Sequence, residues 1–131
     1  MKTMKRTAAL LALAGAAAAG APAAAQASDY LDPCDLRTKI DELQGWGSDT
    51  SKNIIVYKAT AEESSHFEGV VTRGTTRAKP CENFWPAEHD YHWVVFSGEG
   101  EFVRQGDGGY RNWAFFGVYE RDDNVVHFHA R

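Results

Sequence analysis

From Asn53 onward, short apolar runs alternate with glycine- and aspartate-rich punctuation, and this rhythm narrows the fold more than any other feature of the chain. NIIVYKA, HFEGVVTR, YHWVVFS, GEFVRQ, YRNWAFFGVYE and NVVHFHA are rich in β-branched and aromatic residues, and SGEG, GDGG and RDDN separate the later ones. Such spacing predicts consecutive antiparallel hairpins, with the last three runs forming a meander. Upstream, LDPCDLRTKIDELQGWG carries helix signals. Asp32 is an expected N-cap with Pro33 in the first helical position, Leu31 and Leu36 are spaced as a hydrophobic staple, Leu36, Ile40 and Leu43 form one stripe, and Gly45 supplies a stop. The expected fold is therefore α+β: an N-terminal helix packed on an antiparallel β-sheet meander of about five to six strands, within normal sheet sizes.

The first segment stands apart from this pattern. MKTMKR is basic, AALLALAGAAAAG is apolar, and Ala25-Gln26-Ala27 is a small-x-small site. Together they read as a secretory signal peptide over residues 1–27, cleaved after Ala27 and leaving a single domain, 28–131. The apolar run is too short and alanine-rich for a good bilayer span. Without Lys2, Lys5 and Arg6, the 14 basic residues fall to 11 against 18 acidic ones, so the exported part carries a formal charge of −7. An acidic domain lacks the cation surplus that phosphate binding needs, which argues against nucleic acid as a partner. Cys34 and Cys81, the chain's two cysteines, are expected to pair. Closing that loop would stabilise the fold by roughly 4 kcal/mol in a chain-entropy model. Export leads to a secreted or periplasmic location.

Five histidines, all in the exported part, supply the candidate chemistry. In NVVHFHA, strand alternation sends Val126 and Phe128 to one face and Val125, His127 and His129 to the other. His127 and His129, completed by His92 or His89 from EHDYH, would suit a divalent transition metal; His66, Glu68 and Asp90 are further partners. Acid–base catalysis is a second use of the same residues, with His127 and His66 as the pair and Arg73 or Lys58 stabilising developing phosphorane charge. Val126-His127-Phe128 resembles the C-terminal strand of pancreatic-type ribonucleases, where a V-H-F stretch carries a catalytic histidine. That resemblance implies phosphodiester cleavage. It covers three residues, and the family is basic and knit by several disulfides, whereas this domain is acidic with one.

The aromatic content points elsewhere. Sixteen Phe, Trp and Tyr residues in a domain this small exceed what its core readily holds. In YRNWAFFGVYE, Trp113, Phe115 and Tyr119 share a strand face. Two arrangements are open: that face lies beside His127 and His129 as an aromatic–imidazole surface, or the helix stripe covers it. The functional expectation is a small exported binding protein without a cofactor. It would recognise a small molecule, carbohydrate, peptide or protein through Trp113, Phe115, Tyr119, His127 and His129. A histidine-dependent hydrolase and a histidine metal protein are the alternatives.

Overall fold

The computed structural model describes residues 31–81, 88–106 and 111–131. The expected signal peptide, 1–27, the GDGG turn from Asp107 onward and the middle of the Pro80–Asp90 loop lie outside the described residues. Elements run in the order α1 (Arg37–Leu43), β1 (Asn53–Lys58), a 3₁₀ turn (Ala59–Ala61), β2 (Glu62–Phe67), β3 (Val70–Ala78), β4 (His89–Phe96), β5 (Gly100–Arg104), β6 (Trp113–Phe116), β7 (Tyr119–Asp122) and β8 (Val125–Phe128).

The strands form two antiparallel four-stranded sheets, ordered β3-β4-β1-β6 and β2-β5-β8-β7. The two orders correspond position by position because the chain bends from one sheet into the other. β2 continues into β3 across Glu68 and Gly69, β4 into β5 across residues 97–99, and β6 into β7 across Gly117 and Val118. The third position is shared by the start of β1 and the end of β8, joined where Asn53 Nδ2 donates to the His129 carbonyl at 2.9 Å. The molecule is thus four ribbons folded over a common corner.

Two apolar layers follow from strand alternation. Ile55 and Tyr57 of β1, Val94 and Phe96 of β4 and Trp113 of β6 meet Phe102 of β5 and Val126 and Phe128 of β8 between the sheets. On the other side of the first sheet, Ile54, Val56, Tyr91, Trp93 and Val95 receive Leu31, Leu36, Ile40 and Leu43. Being covered on both faces, β1 and β4 read as nearly unbroken apolar runs.

These observations correct the expected α+β fold. Strand accounts for 51% of the described structure and helix for 11%, in two antiparallel sheets with one short helix. The helix does not stand at the N-terminus of the chain and starts later than its sequence signals suggest. Asp32 accepts the backbone N–H of Cys34 at 2.9 Å and its carbonyl that of Asp35 at 3.0 Å, so residues 32–35 close a turn rather than a first helical turn. Leu36 is the N-cap instead. The last three runs are not a one-sheet meander either, since YRNWAFFGVYE divides between both sheets. The Cys34–Cys81 disulfide is present, with Cα atoms 4.8 Å apart, and ties that turn to the segment following β3.

Candidate ligand-binding cleft and the histidine face

In β6, Trp113 and Phe115 point between the sheets, while Ala114 and Phe116 pack towards the helix. The second sheet, not the helix stripe, covers the Trp113 side. Trp113 is 4% exposed, and the rings then step outward to a surface tyrosine, since Tyr119 is 42% exposed. Phe115 packs edge-on against Trp113 at 5.1 Å and against Tyr119 at 4.8 Å between centroids. Two guanidinium groups lie over the Trp113 ring, Arg121 at 4.9 Å and Arg104 at 5.2 Å, as the negative face of an indole favours.

β6 and β7 are the terminal strands of their sheets, so among the described residues no further strand closes this side. A cleft of about 270 Å³ opens there, lined by Trp113, Phe115, Tyr119 and Arg121 and, from the turn and start of α1, by Asp35, Leu36 and Arg37. The three aromatic residues expected from sequence to bind ligand therefore converge on one concavity.

His127 and His129 do not join them. Val126 and Phe128 take the inner side of β8, and the two imidazoles stand on the outer face of the second sheet, centroids 5.2 Å apart. Cross-strand register there sets His66 opposite Glu101, Glu101 opposite His127, and His127 opposite Glu120. His66 lies 3.2 Å from Glu68, His129 3.4 Å from Glu120 and His127 3.9 Å from Glu99. This is an open, half-exposed array of imidazoles and carboxylates rather than a pocket.

The remaining candidates are scattered. His66 and His127 are separated by β5, two strand spacings or roughly 10 Å across an open face. Arg73 and Lys58 belong to the other sheet, opposite Val94 and Tyr91 respectively. His92 also lies in that sheet, 2.7 Å from Thr75 Oγ1 and with its ring against Tyr57, while His89 is opposite Ala78. The proposed metal quartet is thus divided between the sheets. Among the described residues, no group of three or more His, Cys, Asp or Glu side chains is placed to hold a metal ion.

Sequence reasoning overlooked the arginines. Arg121 was within reach, because it follows Tyr119 by two residues in one strand and so shares its face. Arg37 and Arg104 reach the neighbourhood of Trp113 from distant segments, and no local pattern marks them.

The fold and cleft define a disulfide-pinned antiparallel β-sandwich with an aromatic–arginine edge. The chain is similar to the stress response protein YvgO of Bacillus subtilis (strain 168), at 33% identity over 91 residues, covering 67% of this chain and 49% of that protein. It spans about half the length of that curated relative. No protein-family model matches the chain, and no solved structure matches it significantly. The disulfide is compatible with an exported protein, and no described helix is long and apolar enough to cross a membrane.

Proposed function

We propose that the protein is an exported binding protein, secreted or periplasmic after removal of residues 1–27, whose ligand occupies the cleft between β6, β7 and the start of α1. One observation carries the reading. The ring series Trp113–Phe115–Tyr119 leads from the core to an exposed tyrosine within a concavity. An aromatic patch of this kind, with a few polar groups at its rim, is how proteins commonly hold sugars, peptides and small organic molecules. The histidines are left out of the contact surface, because they face away from the rings. The name of the Bacillus relative supports deployment under stress rather than a housekeeping role.

The test is a heteronuclear NMR titration of the isotopically labelled protein with a panel of monosaccharides, short peptides and small ring compounds. Saturable shifts centred on Trp113, Phe115 and Tyr119, lost in Tyr119→Ala, are expected. Shifts confined to the His127–His129 face would refute the cleft and favour the imidazole surface.

A further inference from the structure

Resting on that reading, we infer that the ligand is a small organic anion, a single ring bearing a carboxylate held between Arg37 and Arg121. Arg121 uses its Nε to donate to the Asp123 carbonyl at 3.1 Å and stacks on Trp113, and among the described residues it has no carboxylate partner. Arg37 is exposed, and its side chain enters no ion pair among the described residues. Ion pairs among the described residues include those of Lys39, Lys52 and Arg77. With acidic residues in excess, 18 against 14, two guanidinium groups that form no ion pair among the described residues, against the one carboxylate of Asp35, leave the aromatic cleft a net positive site for an anion.

The guanidinium fork matches a carboxylate through two parallel N–H···O bonds, and the tyrosine beside it offers a flat stacking surface. Asp35 also lines the cleft. One of its oxygens accepts the Arg37 backbone N–H at 3.2 Å, leaving acceptor capacity for a ligand hydroxyl. The volume of about 270 Å³ lies just below the usual range for drug-sized ligands, which points to one ring rather than a chain. Two sources share this chemistry, a uronic acid and an aromatic acid.

Titration of the full chain, disulfide intact, with glucuronate, benzoate, glucose and benzyl alcohol distinguishes them. At least one acid should shift the Trp113 indole and Tyr119 signals saturably, and its neutral counterpart should bind about tenfold or more weakly. Arg37→Gln and Arg121→Gln should each weaken the acid by a similar factor, whereas Arg73→Gln, in β3 and away from the cleft, should not. Near-UV circular dichroism establishes that each variant is folded. The stronger acid identifies the ring. Neutral compounds binding as well as acids would overturn the anion inference while leaving the cleft intact. An acidic peptide that binds where neither acid does would overturn the single-ring inference. No cleft shift with any compound would overturn both the inference and the binding reading.

Discussion

Asn53 is fully buried, and its side chain reaches three of the four ribbons at their corner. Its Nδ2 donates to the carbonyls of His129 at 2.9 Å and Gly98 at 3.3 Å, and its Oδ1 accepts the Val118 N–H at 3.1 Å. Losing these bonds strands buried backbone groups, so Asn53→Ala should cost about 2–4 kcal/mol in urea unfolding. Gly117 packs so closely that a Cβ there would collide with Asn53 Oδ1, and its φ of 135° already disfavours other residues. Gly117→Ala should therefore be severely destabilising. Because Asn53→Ala removes the colliding atom, the double variant should lose less than the two single losses combined. A second residue-scale prediction concerns Tyr91, whose phenol burial pushes up to about 12. Unfolded tyrosine ionises near 10, so this stabilisation is complete below roughly pH 10 and is lost as pH rises towards about 12. Absorbance at about 295 nm during alkaline titration, compared with Tyr91→Phe, checks it, since free phenolates absorb there and tyrosine ionises near 10. Neither role was legible in the sequence. Asn53 reads as an ordinary strand start, because its partners lie at least 45 positions away. The inward placement of Val126 and Phe128 was legible, because strand alternation is local.

At the scale of elements, the end of α1 was read more accurately than its beginning. The Gly45 N–H bonds to the Glu42 carbonyl at 2.9 Å and the Trp46 N–H to the Asp41 carbonyl at 2.8 Å, the paired bonds of a Schellman motif. The left-handed backbone continues into Trp46, at φ 57°, whose side chain is 75% exposed. A bulky residue is strained there, and little packing is lost on replacing it. Trp46→Asn is expected to leave stability unchanged or raise it by up to ~1 kcal/mol, measured from the urea midpoint. HFEGVVTR and YRNWAFFGVYE were each read as one strand, and each is broken at a glycine where the chain changes sheets. A lone glycine within an apolar run signals a bulge as readily as a corner. Only the packing of other ribbons against it decides which it is. The disulfide was legible from the even cysteine count and the expectation of export alone. Its removal by Cys34→Ser with Cys81→Ser should cost roughly 4 kcal/mol in the entropy model and lower the melting temperature accordingly.

For the molecule as a whole, sequence identified the strands' faces better than their sheet. NIIVY and WVVF announce coverage on both sides, and the structure supplies it with α1 outside and the second sheet inside. Which ribbon enters which sheet depends on corners set by non-local hydrogen bonds, and a one-dimensional pattern does not encode it. The cleft was half legible for the same reason: its rings lie within seven positions of one another, whereas Arg37 arrives from the far end of the domain. The proposed export is also tested at this scale. Intact-mass analysis of protein recovered outside the cytoplasm is expected to find a chain beginning at Ser28 with Cys34 and Cys81 oxidised. The shared corner carries a further consequence. Val118 and His129 are linked there by a 2.9 Å backbone bond, and Asn53 joins both to the β4–β5 bend. Neither sheet can open without pulling on a ribbon that also belongs to the other. Amide exchange at Val118 and in both sheets should therefore require global unfolding, with one common protection energy rather than a stable half and a labile half.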